Sequence, residues 1–108
     1  MTDPLAAPLT LPNGSRLPHR LVKAAMEEAL SDAAGDPTPE LERVTRRWAD
    51  GGAALLLTGH VLVDRRHRAR PRDVVMEDAA AAPALRAWAE ASRSVRRLVR
   101  GERNCAMR

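Results

Sequence analysis

The segment AALLLTGHV, residues 53–61, most constrains the fold, because it is a continuous apolar run directly after two glycines. A run of this length is typical of a parallel strand that is buried on both faces. Parallel strands must be joined by a crossover, which is usually a helix. The run therefore predicts an α/β fold, and it requires a second strand elsewhere in the chain to pair with.

A capped helix is predicted directly before this run. Thr38-Pro39 has the residue types of an N-cap and a first helical position, and two glutamates follow in the turn where the helix dipole favours negative charge. Spacings of three and four place Leu41, Val44 and Trp48 on one apolar stripe. We expect Trp48 to be a core anchor and the helix to end at Asp50-Gly51-Gly52.

A second helix is predicted after the charged loop DRRHRARPRD, residues 64–73. It covers about Ala82 to Arg93, has Pro83 in its first turn, and is anchored in the core by Leu85 and Trp88. Two helices that each follow a strand give the order of an α/β sheet or barrel.

The partner strand is predicted within LVKAAMEEALSDAAG, Leu21–Gly35. Propensity alone favours a helix here, with Gly35 as its cap. The flanks favour another interpretation, because a proline precedes RLVKAAM and the punctuation GDPTPE follows the stretch. We predict that Leu21–Ala25 form the end of a strand and that a loop begins at Met26. Any helical turn is expected to be confined to Glu27–Ala34. Before it, Asn13-Gly14 predicts a tight type I′ hairpin turn within LTLPNGSRL.

Charge is unevenly distributed along the chain. The net charge is +4 and the pI near 10.9, which is typical of a nucleic-acid-binding protein. However, residues 1–64 have a balance of −3 and residues 65–108 a balance of +7, with six arginines after Ala91. The positive charge therefore belongs to the loop arginines and to a C-terminal tail. The loop arginines have two interpretations, a solvated loop or a phosphate-binding patch. The loop set is Arg65, Arg66, Arg68, Arg70 and Arg72.

Several classes of site find no support in the sequence. A lone cysteine, Cys105, provides neither a disulfide framework nor a cysteine zinc cluster, and a passive thiol is expected. His60 and His67 have no carboxylate or nucleophile at motif spacing, so both are expected to be ordinary loop histidines. No membrane span and no signal peptide is evident, and a soluble cytoplasmic protein is expected.

Two segments together resemble the N-terminal part of the old yellow enzyme family, the FMN-dependent NADH:flavin oxidoreductases built on a TIM barrel. They are PLTLPNGSRLPHRLVKAAMEE and, after the capped helix, RWADGGAALLLTGHVLVDRR. The similarity runs from about Pro4 to Ala91. It implies an α/β fold made of an N-terminal hairpin and the first two βα units of an incomplete (β/α)8 TIM barrel, residues 1–91, and a divergent basic tail, residues 92–108.

The resemblance also implies a function and a site. The family's enzymes use NAD(P)H and FMN to reduce small-molecule acceptors, and their flavin lies at the carboxyl ends of the strands. Ala24, Ala25, Met26 and Glu27 would line this flavin, and the backbone of Gly59 would approach the ring. No catalytic residue of the family and no metal ligand is matched, so the 108 residues alone are expected to bind FMN weakly and to be inactive.

Three positions depart from the family's pattern. Many members have proline where Ala25 stands, threonine or cysteine where Glu27 stands, and asparagine where His19 stands. A carboxylate beside the ring would oppose the negative charge of reduced flavin, so Glu27 points away, is protonated, or alters the redox behaviour. A structural role is expected for His19. A small basic nucleic-acid-binding protein and a remnant with no activity of its own remain the alternative interpretations.

Overall fold

The computed structural model describes residues 3–93, and it opens with a short 3-10 turn, Pro4–Ala6, and an antiparallel hairpin of β1, Leu9–Thr10, and β2, Arg16–Leu17. The predicted hairpin is confirmed, but its turn is not type I′. The amide of Leu11 donates to the carbonyl of Ser15, which leaves a three-residue loop with Gly14 at φ 85°. Pro12 explains this, because a type I′ turn over Asn13-Gly14 would pair residue 12 with Ser15, and proline has no N–H to donate to the Ser15 carbonyl.

The predicted parallel pair is present. β3, Val22–Lys23, pairs with β4, Leu55–Leu56, in a parallel register that sets Val22 beside Leu55 and Lys23 beside Leu56. The crossover between them is α1, Pro39–Asp50. The hydroxyl of Thr38 accepts a hydrogen bond from the amide of Leu41, so the predicted cap and both helix ends are confirmed.

The prediction of one long strand buried on both faces is wrong. β4 covers two residues, both are only partly buried, and Leu57 directly after them is 46% exposed. Within residues 3–93, β3 is the only strand paired with β4, so the other edge of β4 has no neighbouring strand. β3 is likewise shorter than the predicted Leu21–Ala25.

A second parallel pair was not predicted. β5, Val61–Leu62, pairs with β6, Val74–Val75, and the charged loop lies between them with a 3-10 turn at Arg65–His67. A further 3-10 turn, Ala79–Ala81, leads into α2, Ala82–Ala91, which ends two residues before the predicted Arg93. The described chain is therefore an incomplete α/β arrangement of small sheets and two helices.

The core forms where α1 and α2 pack together. Leu41, Val74 and Trp88 form its buried cluster, and the indole N–H of Trp88 donates to the buried hydroxyl of Thr45 at 2.9 Å. Trp88 is thus the predicted anchor, whereas Trp48 is not. Trp48 is only partly buried, because the buried stripe of α1 is shifted by one residue from the predicted stripe, to Leu41, Thr45 and Ala49.

The segment between β3 and α1 contains no helical turn. Ser31 forms an isolated antiparallel bridge with Pro37, and the carboxylate of Asp32 accepts hydrogen bonds from the amides of Ala34 and Asp36. Gly35 has φ 90°, a left-handed conformation that favours glycine, and an added Cβ would lie 2.7 Å from a Val75 methyl group. Gly35 therefore closes a tight loop against β6 rather than capping a helix. The expectations for Cys105 and the basic tail fall mainly on residues outside the described range.

Candidate functional site at the strand ends

The loops that follow β3 and β4 meet in direct contact. A Cβ added to Gly59 would overlap the carbonyl oxygen of Met26 and would lie 2.9 Å from a carboxylate oxygen of Glu28. Because β3 and β4 are parallel and in register, their carboxyl ends lie at the same edge, and the loops leave the sheet side by side. Only glycine permits this close approach, so Gly59 is explained first by the Met26 backbone.

The predicted flavin-facing residues divide into two groups. Ala24, Ala25 and Met26 follow β3 with exposed side chains, and Met26 is 49% exposed. Glu27 differs from them, because its side chain is 24% exposed and is held by other protein groups. The structure thus brings Met26, Glu27 and Gly59 together at one edge of the small sheet, with the two alanines beside them in the chain.

The carboxylate of Glu27 binds His60 at two points. One oxygen, Oε1, lies 2.9 Å from Nδ1 of the His60 ring and accepts from the His60 amide at 3.3 Å. The other oxygen, Oε2, is buried without a hydrogen-bond partner, and the guanidinium of Arg70 lies 4.0 Å from it. Glu27 is therefore turned toward a histidine and a cation, which supports the first of the three interpretations of this carboxylate.

Asp73 completes a cluster with Glu27 and His60. The register of β5 and β6 sets Val61 beside Val74, so the preceding residues, His60 and Asp73, also lie close. Oδ2 of Asp73 is 4.0 Å from Nδ1 of His60 and accepts from the amide of Arg70 at 2.9 Å. Ligand-type atoms of the three side chains all lie within 4.8 Å of one another, a spacing that would suit a divalent metal as well as proton exchange.

His60 was expected to be an ordinary loop histidine, but two carboxylates lie beside its ring. Glu27 and His60 are 33 residues apart, and no local motif joins them. The available signal was that Glu27 follows one predicted strand and His60 lies near the carboxyl end of the other, which places both at the same edge of a parallel pair. Asp73 could not be found in this way, because β5 and β6 were not predicted.

Lys23 ties the two strand ends together from the other side. Its ammonium donates to the carbonyl oxygens of Ala24 at 3.0 Å and Leu57 at 2.8 Å, and it lies 3.7 Å from the carboxylate of Glu28. The same ammonium stands 4.3 Å from the centre of the Trp48 ring, a cation–π contact. Trp48 therefore covers a cation at the strand ends instead of filling the core.

Most of the loop arginines are engaged within the chain. Arg68 donates to the carbonyls of Ala33 and Asp73, and Arg72 donates to the carbonyl of Ser31. Two further members of the set form ion pairs, Arg65 with Glu77 and Arg66 with Asp64. The loop is thus fastened to the segment before α1, and the nucleic-acid alternative gains no support from it.

These ion pairs shift the pKa values of their members. The side-chain hydrogen bond from Arg66 holds the pKa of Asp64 below its ordinary value of 3.8, and its backbone amide adds to the effect. The hydrogen bond and charge of Glu77 raise the pKa of Arg65. Both pairs are exposed, so they orient the loop more than they stabilise it.

The other two histidines lie away from the cluster. Nδ1 of His19 accepts from the amide of Leu21 at 3.2 Å, so Nε2 carries the proton that it donates to the carbonyl of Gly52 at 2.7 Å. This geometry supports the structural role expected of His19. His67 has a side chain that is 80% exposed and lies 3.9 Å from Asp64, which agrees with an ordinary loop histidine.

Comparisons with known proteins bear on this geometry. No model of a protein family matches the chain. The chain is 40% identical over 73 residues to the NADH-dependent flavin oxidoreductase iliE of Hypocrea jecorina, a match that covers 68% of the chain and 18% of the relative. It is 36% identical over 88 residues to iliE of Neonectria sp., with 78% and 12% covered. The chain thus spans less than a fifth of these curated relatives.

Solved structures share the fold at low sequence identity. A 2-naphthoyl-CoA reductase complex matches with a TM-score of 0.72 at 20% identity over 82% of the chain and 14% of that structure. The old yellow enzyme of Trypanosoma cruzi matches with a TM-score of 0.69 at 18% identity, over 82% and 23%. Neither helix within residues 3–93 has the length and apolar character that crossing a membrane requires.

Proposed function

Because this chain belongs to the old yellow enzyme family, as its N-terminal part, we propose that it supplies the first strands of an FMN-dependent NAD(P)H oxidoreductase of the ene-reductase type. The substrate class is a small-molecule acceptor with an activated alkene. The reaction belongs to the complete barrel, since a barrel of this type needs roughly 250 residues.

The barrel interpretation rests on the parallel pair and on the surface around it. β1 and β2 would close the bottom of the barrel, and β3 and β4 with their helices would be its first two βα units, within a unit of residues 1–91. Leu21, Val22 and Leu57 are large apolar side chains that are exposed beside β3 and β4. Further strands would bury this surface, and burial of apolar area is the main favourable term in such an association. Residues 92–108 would be a separate tail.

One observation carries the proposed site: the contact of Gly59 with Met26 at the carboxyl ends of paired parallel strands. Active sites of parallel barrels lie at this end of the strands. Ala24, Ala25 and Met26 present small or apolar exposed groups, which fit the face of an aromatic ring. We therefore keep these residues and Gly59 as the flavin-lining set, together with Glu27, whose side chain turns toward His60.

The observed position of Glu27 fits a bound flavin. A free carboxylate against the ring would oppose the negative charge of the reduced cofactor. Here the carboxylate is hydrogen-bonded to His60 and lies 4.0 Å from the Arg70 guanidinium, whose positive charge offsets its own. When bound, FMN would supply hydride transfer from the nicotinamide to the acceptor, and the residues of this chain would position the ring and exclude water from one side.

A chimera tests the proposal. This chain's residues replace the matched 73-residue segment of the Hypocrea jecorina oxidoreductase, and the product is assayed for bound FMN and for NADH and NADPH oxidation with an activated alkene. We expect a flavin-loaded, active chimera, whereas the 108-residue chain alone should bind FMN weakly. A folded chimera that neither binds flavin nor oxidises either nucleotide would contradict the proposal. Tight FMN binding by the 108-residue chain alone would contradict the expectation that this chain binds FMN weakly.

A further inference from the structure

We propose that His60 is a proton-transfer residue at the strand ends and that Glu27 is the residue that positions it. The inference rests on the proposed function, and it adds a role for a side chain that no matched motif assigns. It follows from the position of one imidazole between two carboxylates at the edge where a bound acceptor would lie.

The hydrogen bonds of Glu27 fix both the position and the tautomer of the ring. Because Oε1 accepts from the backbone amide and faces Nδ1 at 2.9 Å, His60 is held at its main chain and at its ring by the same atom. A carboxylate at this distance requires the proton on Nδ1, which leaves Nε2 for other partners. The side chain is 57% exposed, and no hydrogen bond within residues 3–93 engages Nε2.

Charged groups from three parts of the chain surround the His60 ring. Glu27 lies in the loop after β3. Asp73 is the residue directly before β6, and its Oδ2 lies 4.0 Å from Nδ1 of His60. Arg70, from the loop between β5 and β6, lies 4.0 Å from Glu27 and donates its amide to Asp73. Two carboxylates thus lie beside the imidazole, and one guanidinium lies beside the nearer carboxylate.

Within the described residues no tyrosine and no other histidine lies at this edge, and the Lys23 ammonium is engaged by two carbonyls and by Glu28. The whole sequence contains no tyrosine and only three histidines. Both ring nitrogens of His19 are engaged, and its partner Gly52 precedes β4, at the opposite end of the strand. His67 lies in the loop between β5 and β6. His60 is therefore the one histidine beside the carboxyl ends of β3 and β4 in residues 3–93.

The proposed step transfers a proton and no electrons. Addition of a hydride to an activated alkene leaves an enolate, which must gain a proton at carbon or oxygen. The His60 imidazolium gives its Nε2 proton to that enolate, so an N–H bond breaks and a C–H or O–H bond forms. The neutral imidazole then regains a proton from water, while Nδ1–H stays on Glu27.

Chemical labelling of the 108-residue chain tests the inference without flavin. Diethyl pyrocarbonate modifies neutral imidazoles, and peptide mass mapping at about pH 8 gives a rate for each histidine separately, since free imidazoles are neutral there. We expect His60 to react severalfold faster than the more exposed His67, because the Glu27 carboxylate raises the nucleophilicity of Nε2. The engaged His19 should react slowest.

Two isosteric variants isolate the charge of Glu27. Glu27→Gln keeps an acceptor for Nδ1 but removes the charge, and it should lower the His60 rate to about that of His67. Glu28→Gln is the matched control, because the adjacent carboxylate faces Lys23 instead, and it should leave the His60 rate unchanged. In each variant the exposed His67 is the internal reference for the reagent, and a slow rate at His19 shows that the chain remains folded. A His60 rate that is no faster than that of His67, or that Glu27→Gln leaves unchanged, would overturn the inference.

Nitrogen-15 chemical shifts of the imidazoles give a second readout. We expect the Nδ1–H tautomer for His60, in contrast to the Nε2–H tautomer of His19, and observation of Nε2–H at neutral His60 would contradict the proposal. In the flavin-loaded chimera, His60→Gln should slow reduction of the alkene and spare reduction by the nicotinamide. Equal alkene rates would refute His60 as the donor but would leave the proposed function intact, whereas a chimera without flavin would count against the proposed function alone.

Discussion

Gly59→Ala should separate the two loops at the strand ends. The added Cβ would overlap the carbonyl oxygen of Met26 and would lie 3.0 Å from its carbonyl carbon. The third neighbour, a Glu28 carboxylate oxygen at 2.9 Å, is the end of a flexible side chain and can rotate away. The Met26 backbone is less free to move, because β3, which ends three residues earlier at Lys23, is paired in register with β4.

The expected cost is that of overpacking, about 1–3 kcal/mol in the free energy of unfolding. With a urea m-value of about 1–3 kcal/mol/M for a small protein, the unfolding midpoint should fall by about 1 M. The displaced loop should also weaken the contact of Glu27 with His60, since these residues directly follow the two that clash. The His60 labelling rate should therefore fall together with stability.

Urea unfolding followed by tryptophan fluorescence measures this effect, and Gly14→Ala is its control. A Cβ at Gly14 meets nothing within 4 Å, but its φ of 85° strains an L-residue by about 1–2 kcal/mol. The control should lower stability and leave His60 labelling at the rate of the parent chain. An unchanged midpoint for Gly59→Ala, or a fall in stability with His60 unaffected, would refute the reasoning about this contact.

Three further outcomes are expected. Trp88→Phe should lower the free energy of unfolding by about 1–3 kcal/mol, because it leaves the buried Thr45 hydroxyl without its indole partner. A double-mutant cycle with Thr45→Val should give a positive coupling energy between the two residues. Additive effects of the two substitutions would exclude the hydrogen bond as the cause. Thr38→Ala should cost about 0.5–2 kcal/mol through loss of the α1 cap, read as a lower thermal midpoint. The NMR-detected pKa of Asp64 should lie below 3.8, so its ion pair persists until the pH falls through that lowered value, and Arg66→Gln should raise it toward the ordinary value.

The local signals of the sequence predicted the first half of the fold well. The limits of α1 follow from Thr38, Pro39 and the glycines after Asp50, which act within a few residues of themselves. The parallel pairing of β3 with β4 was predicted because the apolar run at residues 53–61 requires a second strand to pair with. The hairpin was predicted for its asparagine and glycine, while Pro12 decided the turn type.

Features that depend on distant neighbours were not predictable in this way. Burial of β4 depends on strands that would lie beside it, so its apolar run did not fix its exposure. Trp48 covers the ammonium of Lys23, a contact that helix periodicity does not reveal. β5 and β6 are two residues each, too short for a recognisable pattern, and their pairing alone brings Asp73 to His60.

The position of the flavin relative to Met26 is the most direct test of the central claim that these strand ends form one wall of the cofactor site. The chimera is produced with carbon-13 in its methionine methyl groups and loaded with FMN. We expect nuclear Overhauser contacts between the Met26 methyl group and the isoalloxazine protons, with a shift of its resonance on loading. Bound flavin that leaves the Met26 methyl resonance unchanged, with contacts only to other methionines, would contradict the account.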